Sequence, residues 1–192
     1  MSVSNLFWDS NVFIAFLNDE KDIYDIPSIK QYLEDAKLGK CKIYTSSIAF
    51  SEVTPKRLVR SEYGTFNDFL ADFRSQIITV GNDPNIGALS AELKDLPYKK
   101  NNSTKRILTT GDAIMLATAL ELELTYKVKL DAFHTFDNGK GPRSPEGGKA
   151  IPMLTYEEWC EGIESDPLAS RVIQLNRCTP VHPSPTMFNN AS

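Results

Sequence analysis

Four carboxylates in this 192-residue chain stand where a carboxylate is costly or pointed. Asp9 ends the apolar run Leu6-Phe7-Trp8, and Asp137 follows a second such run within Ala132 to Phe136. If these runs are parallel strands, both acids project at the carboxyl edge of a sheet, where ligands gather in α/β proteins. Asp112 and Glu52 fall on the apolar faces of helical patterns. Asp112 lies in line with Leu116, Ala119 and Leu120, and Glu52 with Ile48, Ala49 and Val59. A buried carboxylate needs a partner, which can be a helix N-terminus, a basic residue or a metal ion. Singly, three of the four have ordinary uses. Asp9 could cap a helix, Asp112 sits in a first helical turn after Thr109-Thr110-Gly111, and Asp137 could open the turn Asp137-Asn138-Gly139. Glu52, in mid-segment, has no such use. Together the four describe a set of hard oxygen donors without histidine or cysteine, which suits magnesium or manganese better than zinc. Such a site activates water and neutralises charge on a phosphodiester during in-line displacement. The two histidines, His134 in a strand pattern and His182 in a proline-rich stretch, are assigned core or surface roles.

The elements that must position these acids alternate. Strand patterns are expected at Leu6 to Trp8, Ile43 to Thr45, Ile77 to Val80, within Ala132 to Phe136, and near Ile151 to Leu154. Helical patterns are expected at Val12 to Leu17, Pro27 to Leu38, Phe66 to Phe73, Pro84 to Leu96 and Asp112 to Leu122, with a short helix around Glu157. A further helix, capped by Ser46 or Ser47, is expected to run through Phe50 and Glu52 to Pro55. Alternation of this kind implies a mostly parallel sheet covered by helices on both faces. The stretch from Gly162 to Ser192 holds Pro167, Pro180, Pro183 and Pro185 and reads as an extended arm or tail.

Hydrophobic residues make up 41% and charged residues 24%, the balance of an ordinary globular domain. No apolar run approaches a membrane span, and no basic region leads into a long apolar stretch at the start, so a cytoplasmic location is expected. Three widely spaced cysteines, Cys41, Cys160 and Cys178, argue against a disulfide framework and show no zinc-site spacing. The net charge of −4 exerts no overall pull on nucleic acid. The positive charge is grouped, at Lys56, Arg57 and Arg60, at Lys99 and Lys100, at Lys105 and Arg106, and at Lys140 and Arg143.

Several segments resemble the acidic motifs of the PIN-domain family. Trp8-Asp9-Ser10-Asn11-Val12 looks like its opening strand-to-turn motif, and Ser47-Ile48-Ala49-Phe50-Ser51-Glu52-Val53 its second, with a helical glutamate. Thr110-Gly111-Asp112-Ala113-Ile114-Met115-Leu116-Ala117-Thr118-Ala119 is similar to the third, and Thr135-Phe136-Asp137-Asn138-Gly139 to the fourth. The motifs occur in order over roughly residues 3 to 160. The resemblance implies a three-layer α/β/α sandwich over residues 1–161, with residues 162–192 appended. It implies that Asp9, Glu52, Asp112 and Asp137 hold Mg2+ or Mn2+ for catalysis, oriented by Asn11 and Thr135. The implied activity is a metal-dependent endoribonuclease. The family is best known for small bacterial toxins of toxin–antitoxin pairs, which often dimerise, so RNA, an antitoxin and a second copy are the implied partners. The cations Lys56, Arg57, Arg60, Lys140 and Arg143 would track the RNA backbone. The Glu121 to Leu130 stretch is long and lysine-containing for the family, and the segment after Gly162 has no counterpart in the minimal toxin. Two other classes remain open. One is an inert module of the same fold that binds RNA or protein. The other is a phosphohydrolase with Asp9 as nucleophile, which would want a second acid where Asn11 stands.

Overall fold

The computed structural model describes residues 3–139 and 149–183. Five strands form one all-parallel sheet in the order β3-β2-β1-β5-β7. They are β1 (Ser4–Trp8), β2 (Cys41–Ser46), β3 (Ile77–Val80), β5 (Ala132–His134) and β7 (Arg177–Cys178). The helices are α1 (Ser10–Leu17), α2 (Ile26–Lys37), α3 (Ala49–Glu52), α4 (Phe66–Asp72), α5 (Pro84–Asp95), α6 (Thr110–Leu124) and α7 (Pro167–Gln174). A separate parallel pair joins β4 (Arg106–Ile107) to β6 (Lys149–Ala150).

The register assigns the two faces of the sheet. Leu6 pairs with Ile43 and Ala132, and Trp8 with His134, so these side chains share one face. That face is covered by α1 and α2, through contacts of Trp8 with Phe13 and of Tyr32 with His134, and α4 packs on α1 through Phe13 with Phe66 and Phe69. Phe7 pairs with Tyr44 and Phe133 on the other face, where Phe7 and Phe133 stack at 4.9 Å. Here α6 packs, its Thr118 hydroxyl donating to Ser46 Oγ at 2.9 Å. The result is a three-layer α/β/α sandwich, the architecture expected of a PIN-like chain. Every residue of α6 from Ala113 to Leu122 is buried, as befits a helix apolar on nearly all sides and enclosed between the sheet and α5.

Three expectations change. The helix carrying Glu52 is a single turn that stops before Pro55. Ile48 stands at its N-cap with no side-chain bond there, so neither Ser46 nor Ser47 caps it, and Val59 lies outside it, 79% exposed. Proline cannot continue a helix, and Pro55 instead opens a short 3-10 turn, Pro55–Arg57. The last strand forms at Lys149–Ala150 rather than at Ile151 to Leu154, and it joins β4 instead of the main sheet. Met153–Trp159 coils into 3-10 turns. The stretch after Gly162 is not an extended arm throughout. Asp166 caps α7, which buries Ala169 and Val172, and Arg177–Cys178 becomes the fifth strand beside β5. Beyond it, residues 179–183 lie against α2. Tyr32 donates to Val181 O at 3.0 Å, and His182 Nε2 sits 2.9 Å from Asp35 Oδ2.

Candidate functional site

The four acids arrive at the carboxyl edge of the sheet from four segments. Asp9 follows β1 directly, Glu52 ends α3 after β2, Asp112 lies in the first turn of α6, and Asp137 follows β5. β1 is central and β2 and β5 flank it, so three of the acids leave adjacent strands.

Each carboxylate has its own holder. Asp9 is the N-cap of α1 and is 5% exposed. Its Oδ1 accepts from Ser10 N at 2.7 Å. Its Oδ2 accepts from the Thr135 hydroxyl at 2.7 Å and from Asn11 Nδ2 at 2.5 Å. Asn11 is fixed at its other end, its Oδ1 accepting from Phe136 N at 2.9 Å. Asn11 and Thr135 therefore both fix the Oδ2 side of the Asp9 carboxylate. Thr135 Oγ1 also accepts from the Asp137 amide at 3.0 Å, which ties the first and fourth acidic segments together. Glu52 Oε2 accepts from Ser10 Oγ at 2.5 Å. Asp112 sits three residues after its N-cap Thr109, whose hydroxyl donates to Asp112 Oδ2 at 2.6 Å and accepts from Asp112 N at 3.2 Å. The helix-start use of Asp112 is thus real, and it coexists with a place in the cluster. Asp137 forms the expected turn, its Oδ1 accepting from Gly139 N and its Oδ2 from Met153 N, each at 3.0 Å.

Mutual repulsion shows how near these groups stand. Burial pushes the Asp9 carboxyl up to about 7, with the charges of Glu52 and Asp137 adding to it. Asp112 keeps part of its surface exposed, but its carboxyl is enclosed by protein. Burial raises it to about 8, and Asp9, Asp137 and Glu52 contribute further. The hydroxyls of Thr135 and Thr109 pull the other way without reversing either shift. A divalent cation would suit this arrangement, since its charge would offset the repulsion and its hardness matches an oxygen-only donor set. Among the described residues, no three Asp, Glu, His or Cys side chains are gathered at metal-holding spacing. Each carboxylate is turned instead onto the hydroxyl or amide donor named above.

Sequence reasoning missed Ser10, Thr109 and Gly111. A Cβ on Gly111 would stand 2.0 Å from Glu52 Oε1, so only glycine lets that carboxylate lie against the start of α6. Thr109 was legible, because threonine three residues before an acid is a helix-start signature. Ser10 and Gly111 lie within the motifs but gave no separate signal.

The cations are distributed unevenly. Lys56, Arg57 and Arg60 are exposed on and after the Pro55–Arg57 turn, and Arg57 Nη1 donates to Glu52 O at 3.2 Å. Lys140 and Arg143 lie outside the described residues. His134 is buried in β5, where burial holds its imidazole down to about 4, so it is a neutral core residue. The three cysteines are unbridged. No helix among the described residues is long and apolar enough to cross a membrane. No protein-family model and no characterised protein matches the chain.

Proposed function

We propose that the chain is a metal-dependent endoribonuclease of PIN-like type, cutting RNA at the cluster of Asp9, Glu52, Asp112 and Asp137. The observation that carries this reading is the convergence of four carboxylates from four separate segments. They lie close enough that the other three each raise the pKa of Asp112. So costly an arrangement has a clear purpose when Mg2+ or Mn2+ is held between them. When bound, the cation supplies charge neutralisation on the phosphodiester and acidifies water.

The chain's own groups supply orientation. Thr135 and Asn11 hold Asp9 Oδ2, Ser10 holds Glu52, Thr109 holds Asp112, and the Gly139 and Met153 amides hold Asp137. Fixing each acid through a hydrogen-bonded neighbour is how metal sites are tuned. The cations Lys56, Arg57 and Arg60, beside the Glu52 segment, can contact the RNA backbone. The phosphohydrolase alternative loses ground, because Asn11 donates to Asp9 and no acid stands in its place.

The test is cleavage of labelled single-stranded RNA with manganese, with magnesium and with a chelator. Wild type, Asp9→Asn and Asp112→Asn are compared, and manganese binding is followed by calorimetry. Metal-dependent cleavage that both variants lose, while remaining folded, supports the reading. Retained cleavage in Asp112→Asn removes the site assignment. Absence of both cleavage and saturable manganese binding favours an inert module of the same fold. Whether the protein serves as a toxin with an antitoxin, or as a dimer, is a further proposal from the same resemblance.

A further inference from the structure

Besides Arg57, two cations are tied to the segments that carry the acids. Lys94, exposed at the end of α5, donates from Nζ to Thr110 Oγ1 at 2.6 Å, at the N-terminal turn of α6 that carries Asp112. Arg106, in β4, places Nη1 against Gly139, where a Cβ would come within 2.7 Å of it, two residues from Asp137. Gly139 has φ +75°, so this close passage depends on glycine twice over. Arg106 is steadied by donation from Nη1 to Ala150 O at 2.8 Å and by the Trp159 ring, 5.3 Å from its guanidinium carbon. One backbone bond uses one of five N–H donors on a fork shaped to meet phosphate oxygens.

Sheet order gives these contacts a direction. Arg57 hangs from the segment after β2 and Arg106 abuts the segment after β5, with β1 and Asp9 between them. Two strand spacings make about 10 Å. A stacked strand carries one phosphate per roughly 3.4 Å, so the edge from β2 to β5 is about three nucleotides wide.

We propose that Lys94, beside the start of α6, and Arg106, on the side of the acid cluster opposite Arg57, bind backbone phosphates of a single RNA strand. The strand then crosses the carboxyl edge of the sheet, perpendicular to β1, with the scissile phosphate over the acids. This inference rests on the reading of the site as an RNA-cleaving centre and adds the path of the substrate.

The experiment measures binding of a fluorescein-labelled single-stranded RNA by anisotropy over a range of salt concentrations. The full chain carries Asp112→Asn so that the strand stays intact. Each phosphate contact on a single strand contributes about 0.7 to the slope of log K against log salt, so Lys94→Gln with Arg106→Gln should lower the slope by about 1.4. Arg106→Lys, which keeps the charge, should restore half of that loss in the Lys94→Gln background. In the otherwise wild-type chain the double variant should raise KM with little change in kcat, and manganese binding and the thermal midpoint should report an intact site and fold. An unchanged slope overturns the proposal while manganese-dependent cleavage by wild type leaves the nuclease reading standing. Failure of wild type both to cleave and to bind RNA overturns both.

Discussion

Gly111→Ala separates the geometry of the site from the stability of the fold. The new Cβ would lie 2.0 Å from Glu52 Oε1 and 3.2 Å from its Cδ. Ordinary contact begins near 3.4 Å, so the carboxylate must retreat by about 1.4 Å. Glu52 is the end of a flexible side chain, and an off-rotamer shift costs about 0.5–1.5 kcal/mol. Against that, alanine is favoured over glycine within a helix by about 0.5–1 kcal/mol. The two nearly cancel, so the thermal midpoint should move by no more than about 4 °C for a chain of this size. The site has no such compensation. The retreat breaks the 2.5 Å bond from Ser10 to Glu52, and a misplacement of about 1 Å can cost on the order of a hundredfold in rate. The assay pairs a melting curve with manganese-dependent cleavage and manganese calorimetry. A variant as stable as wild type, yet a hundredfold slower with weakened manganese binding, bears out the reasoning. Equal stability with cleavage within threefold of wild type refutes it, because the position of Glu52 would then be immaterial.

Two further outcomes follow from the same site. In the presence of a chelator, stability to urea should fall as pH rises from about 4 to about 8. Over that range folded Asp9, at about 7, and Asp112, at about 8, hold protons that the unfolded chain has already released near pH 4, so the unfolded state gains as protons leave. The loss is on the order of several kcal/mol, moderated by coupling within the cluster. Saturating manganese should flatten the profile, and a stability that rises over this range contradicts the assigned crowding. Thr135→Val removes the 2.7 Å donor to Asp9 and the acceptor for the Asp137 amide. It should weaken manganese binding about 10–100-fold by calorimetry. Unaltered affinity would show that Asp9 needs no such support.

The sheet and the larger helices were legible because their patterns are long and consistent. The runs at Leu6 to Trp8, Ile43 to Thr45 and Ile77 to Val80 became β1, β2 and β3, and α6 follows its apolar register closely. What escaped notice was short or fixed by tertiary contact. β4, β6 and β7 are two residues each, too brief to show alternation, and they exist through their partners. In the C-terminal stretch the prolines outweighed Leu168, Ala169, Val172 and Ile173, whose spacing marks α7. Pro167 there opens the helix rather than excluding one. The acids were visible as residues out of place on apolar faces. Ser10, Gly111, Lys94 and Arg106 were not, because what they do depends on distances across 42, 59, 16 and 33 residues of chain, to Glu52, Glu52, Thr110 and Gly139 respectively.

The fifth strand reaches into this chemistry from far along the chain. Cys178 O accepts from Thr135 N at 3.0 Å, and Asn176 O accepts from Phe133 N at 2.8 Å, so β7 clamps the backbone from which Thr135 reaches Asp9. All four acids are encoded by residue 137, some forty residues before that clamp. During synthesis, then, a growing chain possesses every acid before it possesses the brace that aligns them. A protein cut between Gln174 and Arg177 would keep all four acids while leaving β5 as an open, unclamped margin.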